Sequence, residues 1–321
     1  MRSRHDVSLP YELAGSSDAV RDCLAQVERA AADDRNVIVI AERGLDAEAV
    51  ARVLHERSDR AERPFVLLHC EGTGGAELER ALLGTSTSRG RDDVETVAAS
   101  SALVRARGGV LFLTQINELP AALQRRLARV LRDQEVRVAR SPATTVLRVR
   151  VIASLEGSPD GSLREDLLRR LPIVVDVPPL RRRRDDIASI AAGMLAARST
   201  THRFTPAALT VLSALPWRRN LSELSRLVHR LSTAPDPVIR QEEVLAEVQL
   251  EPAPPRARVN LREARRQFEK DYIASVLREH AWQMRAAARA LGIERANLYR
   301  KARQLGIPLR RTEDVVRRVG S

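Results

Sequence analysis

Short apolar runs separated by longer helical stretches constrain this chain more than any other feature. VIVI (37–40), FVLLHC (65–70), VLFL (110–113), VLRVRVIA (146–153) and IVVDV (173–177) read as strands. Asp46–Arg57, Leu119–Arg132 and Leu163–Leu171 between them read as helices. Strands alternating with helices predict a parallel sheet covered by helices. The alternation ends near Pro178-Pro179. Residues 181 to about 250 read as helix only, with Thr205-Pro206 as an N-cap followed by proline at the first helical position. An α/β domain with a small helical subdomain is the simplest architecture.

EPAPPRAR (251–258) is a Pro-rich linker, and a last helical segment runs from Leu261 to about Ile307. The predicted boundaries are 13–180 for the α/β part, 181–250 for the helical part, 251–260 for the linker, 261–310 for a C-terminal domain and 311–321 for a basic tail. No internal repeat is present.

In RAAARALGIERANLYRKARQLGI (285–307) a short helix ends at Leu291. Gly292 supplies a tight turn, and a second helix starts near Glu294 or Arg295. Ala288, Leu291, Ile293, Leu298 and Leu305 suffice for one small core. This is the plan of a helix-turn-helix, whose second helix enters the major groove of DNA. Arg295, Asn297, Tyr299, Arg300 and Lys301 lie on the early turns of that helix. Arginine pairs with guanine, asparagine with adenine, and lysine neutralises a phosphate. Charge supports a nucleic-acid partner. The chain carries a net +12, and residues from Ala253 onward hold 17 Lys/Arg against 7 Asp/Glu, so most of the excess lies there.

Cys23 and Cys70 have no metal-type or redox-type spacing, which fits a reduced cytoplasm and, with DNA binding, a nucleoid-associated protein. No apolar run approaches a membrane span, and no signal-peptide core precedes residue 13. No Ser/His/Asp, Cys/His or metal-ligand constellation supports hydrolase, nuclease or transferase chemistry. His55 and His69 have no partner at metal-ligand spacing. No catalytic residue and no metal site is expected.

AARALGI…LYRK resembles the Fis-type helix-turn-helix that ends bacterial enhancer-binding proteins. The preceding FEKDYIASVLREHAW (268–282) resembles the helix through which such domains dimerise. RPFVLLHC (63–70), GGVLFL…NELP (108–120), LQRRLARVL (123–131), LREDLLRRL (163–171), PPLRRRRDDI (178–187) and Trp217…Asn220…Glu223-Leu224 are colinear with landmarks of the AAA+ domain of the same family, the NtrC-type activators of sigma-54 RNA polymerase. The resemblance covers residues 13–250 and the C-terminal segment. It implies a P-loop-type AAA+ domain with a helical lid, ATP-Mg as family cofactor, and DNA bound by a homodimer or higher homo-oligomer. It also implies that Cys70 is a buried strand-end residue and that Arg181–Arg184 form an inter-subdomain hinge. A receiver or sensing domain usually precedes the AAA+ part in the family, and only about 12 residues do so here.

The residues of the nucleotide site depart from the family pattern. A G-x-x-x-x-G-K loop needs glycines for close backbone approach and a lysine for the β and γ phosphates. In AERGLDAEAV (41–50) the first glycine position is Ala41, the second is Asp46 and the lysine position is Ala47, with Glu48 following; Gly44 alone remains. A carboxylate about 4 Å from a phosphate costs about 4 kcal/mol per charge pair at an effective dielectric of 20. The family's Asp-Glu pair that holds Mg2+ and positions water becomes Thr114-Gln115, which cannot balance a divalent cation. The sensor asparagine position is Glu156 and the sensor arginine position is Ser222. The GAFTGA loop that touches sigma-54 has no counterpart in TSTSRGRDDVETVAAS after ALLG (81–84).

These departures predict loss of ATP hydrolysis and of tight ATP binding, with no cofactor required. Asp46 is expected to cap the following helix and fill the space of a phosphate. Two readings stand for Arg164 and Arg170, which match the family's arginine fingers: charged helix residues kept for packing or salt bridges, or fingers donated to an active paralogous AAA+ activator. The leading expectation is a DNA-binding regulator with a pseudo-ATPase scaffold. The alternatives are a divergent ATP-dependent activator and an inactive subunit that modulates a paralogue.

Overall fold

The computed structural model describes residues 9–84, 94–141, 143–157, 161, 163–199, 201–250, 273, 276–277 and 282–305. The chain divides into two compact units, residues 1–250 and 251–321.

In the first unit the strands are β1 (Val37–Ile40), β2 (Phe65–His69), β3 (Thr96–Val97), β4 (Val110–Thr114), β5 (Glu135–Val138), β6 (Thr144–Val146), β7 (Arg150–Leu155), β8 (Ile173–Asp176), β9 (Arg203–Phe204) and β10 (Val238–Ile239). The helices are α1 (Asp18–Ala32), α2 (Ala47–Glu56), α3 (Gly75–Leu82), α4 (Ala102–Arg105), α5 (Ala121–Asp133), α6 (Glu165–Leu168), α7 (Arg184–Ala196), α8 (Pro206–Ala214), α9 (Asn220–Leu231) and α10 (Gln241–Leu250).

Five strands form one parallel sheet in the order β2-β4-β7-β1-β8. Alternation of side chains across the pleat makes two cores. Leu111 and Leu113 of β4 face one core with residues of α3, α4 and α5, while Val110 and Phe112 face the other with residues of α1 and α2. All five residues of β4 are buried, and its run Val110–Leu113 is apolar on both faces, as an interior strand of a covered parallel sheet requires. Burying each large apolar side chain contributes about 2 kcal/mol, which fixes the register.

The sequence reading needs four corrections. VLRVRVIA is not one strand; β6 ends at Val146, and Arg148 turns the chain at φ +46° before β7. Leu163–Leu171 holds only the short α6. A second sheet, β3-β5-β6, was not legible. Residues 181–250 are mainly helix, but β9 and β10 pair in parallel there. That region has its own core, with Trp217, Leu224 and Val228 buried among Ile187, Ile190 and Leu212. Thr205 caps α8 through the N–H of Ala208, as the Thr-Pro pair predicts.

In the second unit helices span Met284–Ala290 and Arg295–Gln304. Gly292 turns the chain between them at φ +65°. Ala288, Leu298 and Leu305 are buried, with Leu291 and Ile293 packed against them. Ile273, Val276 and Leu277 join this core; the rest of segment 268–281 lies outside the described residues, as do the linker 251–260, the tail 311–321 and residues 85–93 of the segment after ALLG.

Candidate functional site

Ligands of open parallel sheets bind beyond the carboxyl ends of the strands. Here the loop after β1, the ends of β2 and β4, and the residue after β7 converge on one cleft of about 690 Å3. It is lined by Ala41, Gly44 and Ala47 of the loop, by Gln115, and by the carboxylates of Glu42, Glu71, Glu118 and Glu156. Arg43 is the one guanidinium in that lining. Arg181 neutralises Glu42 from outside the lining, which leaves three carboxylates against Arg43 and a cleft unfavourable for a polyanion.

The loop's N–H groups are engaged by carboxylates of the chain itself. Asp46 stands at the N-cap of α2, and its Oδ1 accepts the N–H groups of Glu48 at 2.9 Å and Ala49 at 3.1 Å. Its own N–H donates to Oε1 of the buried Glu12 at 2.9 Å. Burial pushes the Glu12 carboxyl above its ordinary value. Glu48, in contrast, turns away from the cleft and pairs with Arg52 at 2.6 Å, one turn along α2. Only its backbone belongs to the loop's geometry.

The loop is also bound to the helical region. Arg181 forms a two-point ion pair with Glu42 and holds that carboxyl below its ordinary value. Asn220 accepts the N–H of Leu180 at 3.0 Å and donates to the carbonyl of Arg43 at 3.0 Å. Ser222 donates its N–H to the carbonyl of Gly44 at 2.9 Å, and its hydroxyl to the carbonyl of Arg219 at 2.8 Å. Gly44 lies at φ +87°, and a Cβ there would sit 1.9 Å from the Arg219 carbonyl oxygen. The loop's one glycine is therefore required by a backbone contact as well as by its φ.

At the end of β4, Thr114 is buried and its hydroxyl donates to Glu71. Burial pushes Glu71 up, but the Thr114 hydrogen bond helps to hold its carboxyl below the ordinary value. Gln115 adopts the left-handed conformation at φ 44°, with its N–H donating to the Ser154 hydroxyl at 3.0 Å.

Arg164 and Arg170 are not helix residues. Arg164 is the N-cap of α6, bonded through its guanidinium to Asp166 at 3.0 Å and through its N–H to Gln124 at 2.9 Å. Arg170 lies beyond α6 and is exposed; its carbonyl accepts from Asn36 at 2.8 Å. The expected helix face therefore does not exist.

Arg183, from the arginine run, is almost wholly buried and donates to the carbonyls of Tyr11, Glu12 and Ala14. Burial pushes the thiols of Cys23 and Cys70 up to about 11 and about 12, so both are core residues rather than nucleophiles. His55 is buried against Phe65. Among the described residues no group of three or more His, Cys, Asp or Glu is placed to hold a metal.

In the second unit, the Arg295 guanidinium lies 5.6 Å from the ring centre of Tyr299, and Arg300 donates to Asn297 at 2.5 Å. Lys301 is on the same helix. The helix that begins at Arg295 thus carries cations and one amide on its early turns, the composition of a recognition helix.

A P-loop-type α/β domain with a helical subdomain, joined to a helix-turn-helix, defines an AAA+ transcriptional regulator. Residues 13–176 match the family described as "Sigma-54 interaction domain", and residues 264–305 match "Bacterial regulatory protein, Fis family". The chain belongs to the sigma-54-dependent enhancer-binding regulators. It is 30% identical over 306 residues to the alginate biosynthesis transcriptional regulatory protein AlgB of Pseudomonas aeruginosa, spanning 92% of this chain and 68% of that one. It is 29% identical to the nitrogen assimilation regulatory protein NtrX of Azorhizobium caulinodans, spanning 96% and 72%. The crystal structure of NtrX from Brucella abortus in complex with ATP superposes with a TM-score of 0.62 at 28% identity, covering 95% of this chain and 70% of that one. No helix among the described residues is long and apolar enough to cross a membrane.

The sequence placed Arg181 in an inter-subdomain hinge without its partner Glu42, and it missed Glu12 and Glu42. Asn220 was visible as a landmark without a role. Nothing local marks Glu12, whose partner Asp46 lies 34 residues away.

Proposed function

We propose that this chain is a sequence-specific DNA-binding transcriptional regulator whose AAA+ domain neither hydrolyses ATP nor binds it tightly. The domain acts as a scaffold for self-association or for contact with a paralogous AAA+ activator. The protein works in the cytoplasm on the nucleoid.

The observation that carries this reading is the pair of carboxylates on the loop's N–H groups. A phosphate bound after β1 needs those donors and a lysine. Here Glu12 and Asp46 take three of the donors, and Ala47 supplies no charge. Thr114 and Gln115 offer no carboxylate for Mg2+, so the water that attacks a γ-phosphate has neither metal nor base. The loop after β1 and the end of β4 are thus altered separately, the first against binding and the second against hydrolysis.

DNA contact is assigned to Arg295, Asn297, Tyr299 and Arg300 for base edges and to Lys301 for phosphate. A dimer would read an inverted repeat with half-sites about one helical turn apart.

The second reading, an ATP-dependent activator of sigma-54 polymerase, is favoured by the relative NtrX, whose structure holds ATP. Titration of the purified protein with ATP and Mg2+ separates the two. No saturable binding at this loop supports the scaffold. Binding with Mg-dependent phosphate release supports the activator.

A further inference from the structure

A second cleft opens at the other end of the sheet, at the amino ends of β1, β7 and β8. It has a volume of about 450 Å3 and is lined by Arg35, Arg60, Arg148, Arg169, Arg170 and Asp34, among others. These arginines come from four separate segments: the turn before β1, the loop after α2, the turn before β7 and the chain beyond α6. Their convergence is a property of the fold, since residues 1–252 carry only a small part of the net charge.

The acids nearby are already engaged. Asp33 is bonded to Arg35, Asp34 to Arg60 at 2.6 Å, Glu165 to Arg169 at 3.0 Å and Asp133 to Arg132 at 2.7 Å. Asp133 also feels the charge of Arg170. Among the described residues neither Arg148 nor Arg170 has a side-chain ion pair. Beneath them the buried Arg150 spends its guanidinium on the carbonyls of Arg35 and Ala30, so a third positive charge sits under the cleft.

The backbone supports the same conclusion. Arg148 occupies the left-handed region at φ +46°, where glycine or asparagine is the cheaper residue. Its carbonyl is held by Arg60 at 2.5 Å. Arg148, strained and unpaired, lines the cleft together with the unpaired Arg170, while Arg35, Arg60 and Arg169 are held in place by their acids, and two free guanidinium groups on so fixed a wall are a ligand-site geometry. Guanidinium groups match phosphate oxygens bidentately, and a recess with low-dielectric walls concentrates their field. A recess of this size admits free phosphate groups, whereas a DNA duplex presents its phosphates on a convex surface.

We propose that this cleft binds a small, multiply charged phosphate anion of the di- or triphosphate class, with Arg148 and Arg170 as its main ligands. The site is separate from the carboxylate-lined loop after β1 and does not depend on whether that loop is closed.

The test is calorimetric titration of the full-length chain with inorganic pyrophosphate at low, constant ionic strength. The wild type is expected to bind saturably. Arg148→Gly removes the charge and relieves the backbone, and Arg170→Ala acts at an exposed position, so both variants keep the fold. Each is expected to weaken binding about tenfold, the size of one charge-assisted hydrogen bond. Arg43→Ala, in the other cleft, is expected to leave binding unchanged. Absence of saturable binding would overturn the proposal, as would unchanged affinity in the Arg148→Gly/Arg170→Ala double variant. If the double variant loses affinity for a short random DNA duplex while pyrophosphate never binds, the cleft is a DNA-backbone contact and the proposal is wrong.

Discussion

The carboxylate of Glu12 accepts the backbone N–H of Asp46, and the carboxylate of Asp46 in turn accepts two N–H groups at the start of α2. Two acids thereby stand in series where the fold would otherwise offer bare donors to an anion. Arg183 holds the carbonyl of Glu12, so the chain of contacts runs from the start of α7 to the start of α2.

Asp46→Ala removes the cap and is expected to lower stability by about 1 kcal/mol, read as a reduced midpoint in urea unfolding. Asp46→Gly combined with Ala47→Lys removes the negative charge and supplies the missing cation. This variant is expected to gain ATP binding in a filter assay but no hydrolysis, because Thr114 and Gln115 are unchanged. Gain of hydrolysis would show that the end of β4 is not limiting.

Gly44→Ala places a Cβ against the Arg219 carbonyl in a left-handed conformation. The expected loss exceeds the roughly 1 kcal/mol of the backbone effect alone. Limited proteolysis should show the region around α9 loosened. Wild-type resistance in this variant would mean that the loop is not held against that region.

The two acids at the loop should respond to pH in opposite directions. Glu42 is depressed by Arg181, so its stabilisation is present above its unfolded value near 4.5 and fades as pH falls through the lower folded value. Glu42→Gln is therefore expected to be less stable than wild type at neutral pH, with the gap closing below about pH 4.5. Glu12 is raised by burial, so its folded form gains relative stability as pH falls through that raised value. Glu12→Gln keeps a hydrogen-bond acceptor without the charge, and it is expected to match or exceed wild type at neutral pH. Unfolding curves across pH 4 to 7 read both effects.

In the helix-turn-helix, Arg295→Ala and Asn297→Ala are expected to cost about 1–3 kcal/mol each on the preferred site and to relax base preference. Lys301→Ala should weaken all sequences alike and reduce the salt slope by about 1. Truncation at Pro254 should abolish binding. Competition binding against random duplex at several salt concentrations measures all three.

Strong local patterns were legible in the sequence. VLFL is buried on both faces, and its apolar run says so. Gly292 between two short helices announces the turn at φ +65°. Asp46 at a strand-to-helix junction predicts its own cap. The failures have one physical source, contacts between distant segments. VLRVRVIA looks continuous because Arg148 carries no turn signal; its left-handed backbone is held by Arg60, 88 residues away. Asn220 bonds both Leu180 and Arg43, and neither partner is visible from its neighbours. The arginine cleft is scattered over more than a hundred residues and has no motif.

The central claim is that the loop after β1 does not hold a nucleotide. The direct measurement is titration of the Arg148→Gly/Arg170→Ala chain with ATP and Mg2+, which leaves that loop intact and removes the other phosphate-attracting cleft. The account predicts no saturable binding and no Mg-dependent phosphate release. Saturable binding that prefers ATP to inorganic triphosphate, or any turnover abolished by excess EDTA, would contradict it.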